Sequence, residues 1–96
     1  AIRNAYEVRL RNQGGDDRTF LFTLESERDL VLSLEGTPYT SVTVPADETF
    51  QQRLYITAPA GSEAAEAGTT DVRLWITALG SETRASSDTV FNGKGE

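Results

Sequence analysis

The chain reads as an all-β protein: an immunoglobulin-like antiparallel β-sandwich of about seven strands with Greek-key connections. Three observations predict this. Seven short runs alternate apolar and polar residues with a period of two. Gly, Pro, Asn and Asp punctuate those runs at short, regular spacing. No segment carries a helical period long enough to stand alone. At 96 residues, one domain with a single core is expected. We place it at residues 1–92, with a flexible tail at 93–96.

The first run, "IRNAYEVRLRN" (residues 2–12), turns Tyr6, Val8 and Leu10 one way and Glu7, Arg9 and Arg11 the other. It starts so abruptly that a membrane span or another domain is expected directly before Ala1. The turn "NQGGDD" follows, and then "RTFLFTLE" puts Phe20, Phe22 and Leu24 on one face. The short spacing makes these two runs expected antiparallel neighbours. "SERD" breaks the pattern, and "LVLSLEG" resumes it with Leu30, Leu32 and Leu34 in phase until Gly36 and Pro38. "YTSVTVP" carries Val42 and Val44 up to Pro45, which cannot donate a ladder hydrogen bond and marks an end or an edge.

"TFQQRLYITAP" sets Phe50, Leu54, Ile56 and Ala58 on one parity, interrupted by Gln52. The polar stretch at 60–70 is a loop with at most one helical turn, for which Ser62 is the cap. Its length suits a crossover between sheets. "DVRLWITAL" turns Val72, Leu74, Ile76 and Ala78 inward, "GSE" reverses the chain, and "TRASSDTVFNG" is the last strand. The expected core is Phe20, Phe22, Leu32, Leu54, Ile56, Leu74, Ile76 and Phe91. "YTSVTV" and the last strand are the expected sheet edges, open to another chain.

Composition narrows function. Nine basic against fifteen acidic residues give a net charge of −6. Nucleic acids and anionic lipid surfaces both call for a basic footprint, so neither is an expected partner. Cys, His and Met are absent. That removes the usual ligands of zinc, copper and iron–sulfur clusters, as well as the commonest general base and strong nucleophile. Lys94 lies in a Gly-rich tail where nothing would lower its pKa. The acid pairs Asp16/Asp17, Glu25/Glu27 and Asp47/Glu48 fall in expected turns of a domain too small to enclose a sugar cleft. Calcium needs six to eight oxygens at a spacing these turns do not match. We therefore expect no catalytic, cofactor-binding or metal-binding residue here, and no enzyme.

Trp75 points outward in the phase set by Leu74 and Ile76. In the expected strand order, Val31 and Val90 flank it, and the three form a candidate contact surface. The alternative is a Trp lying flat over neighbours such as Arg73 and Arg84. Arg53, Arg73 and Arg84 otherwise read as solvated outer-face residues.

The strings "AIRNAYEVRLRN", "RTF", "VTVPADE", "YITAP", "DVRLWI" and "SSDTVFNG" together resemble the C-terminal domain of the FixG/CcoG cytochrome c oxidase accessory proteins, over roughly residues 1 to 93. The resemblance implies an Ig-like domain on the periplasmic side of the bacterial inner membrane. It implies a membrane-anchored parent with several spans, whose iron–sulfur clusters lie elsewhere in the chain. That parent would serve the assembly of haem–copper oxidases, with copper handling as its role. No family ligand or catalytic residue maps onto this chain. The partners implied are the rest of the parent and oxidase assembly factors, among them an oxidase subunit or a copper chaperone. The competing expectation is a linker or adhesion-type Ig-like domain of a secreted or cell-surface multidomain bacterial protein.

Overall fold

The computed structural model describes residues 1–81 and 83–94. Glu82 of the "GSE" turn and residues 95–96 of the expected tail lie outside the described residues. Seven strands and one short helix form: β1 (Ile2–Arg11), β2 (Arg18–Ser26), β3 (Val31–Leu34), β4 (Ser41–Val44), β5 (Thr49–Ala58), α1 (Glu63–Glu66), β6 (Thr69–Ala78) and β7 (Arg84–Asn92). Every alternating run became a strand. Ser62 caps α1, its hydroxyl accepting from the Ala65 amide.

The strands pair antiparallel in two sheets, β1-β5-β3 and β4-β2-β6-β7. This corrects one expectation: β1 and β2 are not neighbours. β1 pairs with β5, whereas β2 pairs with β4 and β6. The cause lies in the turn after β1. Asn12, 2% exposed, donates through Nδ2 to the carbonyls of Asp16 (2.8 Å), Val44 (3.0 Å) and Pro45 (3.3 Å). Its Oδ1 accepts from the Gly14 amide (3.0 Å), and its own amide donates to the Glu48 carbonyl (2.9 Å). These bonds tie the end of β1 to the end of β4, which belongs to the opposite sheet. The chain therefore crosses the ~10 Å between sheets instead of folding back beside itself. Only β6 and β7, among consecutive strands, form a hairpin within one sheet. The 60–70 segment crosses from β5 to β6, as its length led us to expect. β4 and β7 are the edges of the four-stranded sheet.

The two inner faces share one core. Phe22, Leu54, Ile56, Leu74 and Phe91 are buried, and Phe20, Leu32 and Ile76 pack half-buried against them. Gln52 keeps the inward phase of β5 as a buried polar residue. Its Nε2 donates to the carbonyls of Glu35 (3.0 Å) and Arg53 (2.8 Å), so its burial leaves no donor unpaired.

On one side the sandwich is closed by side chains. Asn4 on β1 bonds reciprocally with the backbone of Asn92 on β7: Nδ2 donates to the Asn92 carbonyl (3.1 Å), and Oδ1 accepts from the Asn92 amide (2.8 Å). An asparagine amide here stands in for a strand's own N–H and C=O. The Tyr6 hydroxyl donates to the Val90 carbonyl at 2.7 Å. Burial pushes the Tyr6 phenol pKa up, which keeps this donor protonated. Tyr6→Phe keeps the ring and removes the bond. It is expected to cost about 1 kcal/mol, read as a lower denaturant midpoint at unchanged slope. An unchanged midpoint would show that the bond contributes nothing.

The first two residues of the expected tail are held in place. The Gly93 amide donates to the Gly68 carbonyl (3.0 Å) and the Lys94 amide to the Ala65 carbonyl (2.9 Å). The Gly93 Cα sits so close to the carbonyl oxygens of Ala64 and Ala67 that a side chain there would collide with backbone.

Candidate interaction surface

Trp75 sits mid-strand on β6, on the outer face of the four-stranded sheet, between Thr23 of β2 and Ser86 of β7. It is half-buried by the side chains around it. Its indole Nε1 donates to Glu25 Oε1 at 2.8 Å. The Arg84 guanidinium stacks over its ring at 3.7 Å from the centroid, and that of Arg73 lies at 5.9 Å. Arg73 is itself engaged: its Nε donates to Asp88 Oδ1 at 2.7 Å, in a cross-strand pair between β6 and β7. That hydrogen bond holds the Asp88 carboxyl below the usual carboxylate range. Arg84 makes no ion pair among the described residues.

Strand alternation explains the grouping. Glu25, Arg73 and Asp88 share one cross-strand row, and Thr23, Trp75 and Ser86 share the next. The flat-lying Trp is therefore observed, with Arg84 as its main cover. The same stacking leaves a solvent-exposed cation fixed on an aromatic ring. Trp, Arg and Tyr are the types that dominate protein–protein hot spots.

The structure separates the three residues expected to share this face. Val90 lies on the same outer face, at 40% exposure, but opposite Asp71 and so four residues along the strand from Trp75. Val31, 56% exposed, belongs to β3 in the other sheet. It faces away on the opposite side of the sandwich and cannot flank Trp75. The error follows from strand order: parity places a residue inside or outside but does not say in which sheet.

Sequence reasoning missed Tyr39, which is 70% exposed in the turn before β4. The Phe22 amide donates to the Thr40 carbonyl (2.8 Å), which continues the β2–β4 register one step beyond β4. Tyr39 precedes Thr40 at that end of the four-stranded sheet. The only signal was an aromatic after Pro38 in a turn, which alone says little.

The acidic turns do backbone work. Asp17 Oδ1 accepts from the Ala46 amide (3.2 Å), and Asp47 adopts a left-handed φ of 59° in the turn before β5. Glu25 lies within β2, not in a turn, and serves Trp75. Beside Trp75 runs an open, shallow depression lined by Glu25, Glu27, Asp71, Arg73, Asp88 and Thr89. Among the described residues, no group of three or more acids converges as metal ligands would. No described helix is long and apolar enough to cross a membrane.

The comparisons with known proteins bear on the whole chain. The family model described as the IG-like fold at the C-terminal of FixG matches residues 1–94. The protein RdxB of Cereibacter sphaeroides is 55% identical over 95 residues, covering 99% of this chain and 20% of RdxB. RdxA of the same organism is 46% identical over 74 residues, covering 77% of this chain and 16% of RdxA. The chain thus spans about a fifth of the length of these relatives. The crystal structure of a FixG-related protein from Vibrio parahaemolyticus superposes with a TM-score of 0.80, over 97% of this chain and 80% of that one. At 13% identity it speaks for the fold alone.

The residues that carried the resemblance now have structural roles. The opening Asn4 and Tyr6 bond the backbone of Asn92 and Val90 across the β1–β7 seam, the closing Phe91 is fully buried in the core, and the turn after Val44 meets Asn12. By this match over residues 1–94, the chain belongs to the family of Ig-like domains found at the C-terminus of FixG proteins.

Proposed function

We propose that this chain is a non-enzymatic interaction or positioning module of a membrane-bound FixG-like iron–sulfur redox protein that serves cytochrome oxidase assembly. Its place would be the periplasmic side of the inner membrane. The observation that carries this reading is the family match over residues 1–94. It favours a FixG-type parent over the linker or adhesion domain of a secreted protein. The arrangement of residues supports a contact role. Trp75 is fixed from one side by Glu25 and covered by a cation with no ion-pair partner among the described residues, on an open sheet face. The redox chemistry would belong to the rest of the parent, and an oxidase subunit or assembly factor would meet this face.

Trp75→Ala in the membrane-bound parent tests the reading. The expected result is a loss of mature oxidase of about tenfold or more, with normal amounts of parent and intact clusters, because truncating a hot-spot Trp costs 2 kcal/mol or more of binding. Undiminished oxidase assembly with a stably produced variant would overturn the contact role of this face.

A further inference from the structure

β7 has one edge bonded to β6 and one edge open. Asn92, through both backbone groups, and Val90, through its carbonyl, point away from β6 toward Asn4 and Tyr6. Thr83 points the other way, its carbonyl accepting from the Ala78 amide. Backbone groups alternate along a strand, so the N–H and C=O of Arg84, Ser86 and Asp88 share the open edge with Val90 and Asn92. No described hydrogen bond uses any of them. Between the charged Arg84 and Asp88, the side chains of Ala85, Ser86 and Ser87 are small and exposed.

We propose that this open stretch, Arg84 to Asp88, is a self-association site at which a second copy of the chain adds its own β7 antiparallel. The register that fits has Ser86 opposite Ser86 of the second copy on a two-fold axis. Arg84 then lies opposite Asp88 of the second copy, and Asp88 opposite its Arg84. These are hydrogen-bonded pairs with Cα atoms about 5.5 Å apart, so each open N–H meets an open carbonyl. Arg84, Ser86 and Asp88 all stand on the outer face, since they follow the parity of the Asp88–Arg73 and Ser86–Trp75 pairs. The opposite charges therefore face each other on the same side of the joined sheet.

Two features limit the association to this stretch. Toward the C-terminus, Asn4 and Tyr6 already occupy the edge at Val90 and Asn92. Toward the N-terminus, β7 starts at Arg84. A contact this short is weak, as suits a module whose parent would bring copies together in one membrane. The backbone edge is distinct from the Trp75 ring face, but Arg84 and Asp88 belong to both, so Ser86→Pro, which touches only the edge, separates the two readings.

Sedimentation of the 96-residue chain between about 10 µM and about 1 mM reads the equilibrium directly. The wild-type chain is expected to shift from monomer to dimer across that range. Ser86→Pro removes the N–H on the two-fold axis, which β6 does not use, and should leave a folded monomer. Arg84→Glu sets like charges against each other and should raise the dissociation constant about tenfold. A chain that stays monomeric to the top of the range overturns the proposal. So does a folded Ser86→Pro variant that dimerises as the wild type does, or an Arg84→Glu variant as tight as the wild type.

Discussion

Replacing Phe91 by Ala is expected to lower the unfolding free energy by about 3–5 kcal/mol. Phe91 is the largest side chain with no exposure at all. It is the one buried residue of β7, a strand whose other residues are all exposed. The ring therefore anchors the last strand to the core almost alone. The chain beyond it depends on the same anchor, through the Asn92 bonds to Asn4 and the Gly93 and Lys94 bonds onto α1 and the segment after it. Losing the ring removes its burial and leaves a cavity that β6, fixed between β2 and β7, cannot collapse to fill. The check is urea unfolding of the variant against the wild-type chain. A loss below 1 kcal/mol would mean that β7 is held by its ladder to β6 and not by Phe91.

Asn12→Asp is the second large effect. The change conserves volume but replaces two N–H donors with a carboxylate. That carboxylate would face the carbonyls of Asp16, Val44 and Pro45 from a buried position. Three acceptors lose their donor and an acceptor now points at them, so a loss on the order of 3 kcal/mol is expected at pH 7. Its pH dependence identifies the cause. Burial among carbonyl oxygens raises the introduced carboxyl's folded-state pKa above its unfolded value. The protonated form, which can donate one bond, is therefore favoured in the folded state. The deficit narrows as pH falls through the raised pKa and widens as pH rises through it. A deficit equal at pH 4 and pH 7 would show that the lost packing, not the charge, destabilises the variant. Asn12→Ala, with no titrating group, serves as the pH-flat control.

These two residues show what was legible beforehand. Phe91 could be read because strand phase is local: residues two apart share a face, and an apolar parity marks the inside. By the same logic the seven strands, the inward phases of β2 and β6 and the outward direction of Trp75 were read correctly, as was β5 from Leu54 to Ala58, whereas Phe50 of the same parity is 41% exposed near the strand's start. Asn12 could not be read. Its partners lie at residue 16 and at residues 44, 45 and 48, and nothing local tells a surface turn amide from a buried one. Asn4 and Tyr6 are harder still, since their partners stand 84 and 88 residues away. The misplaced Val31 and the mistaken β1–β2 pairing share one origin. Alternation gives the face of a residue within its sheet, but sheet membership is decided by connections, and the short turn after β1 is equally compatible with a hairpin or a crossover. The Trp75 surroundings were half-legible. Arg73 and Arg84 lie within its own hairpin, while Glu25 reaches it from β2, 50 residues away.

The central claim is that this Ig-like domain works by contact through the Trp75 face, while the chemistry of its parent happens elsewhere. Site-specific photo-cross-linking in the membrane-bound parent tests it most directly. One probe replaces Trp75, and a second replaces Ser33, exposed on β3 in the opposite sheet. The account predicts a discrete adduct with an oxidase subunit or assembly factor from position 75 and none from position 33. Adducts of equal yield from both positions, or none from position 75 while the oxidase still matures, would contradict it.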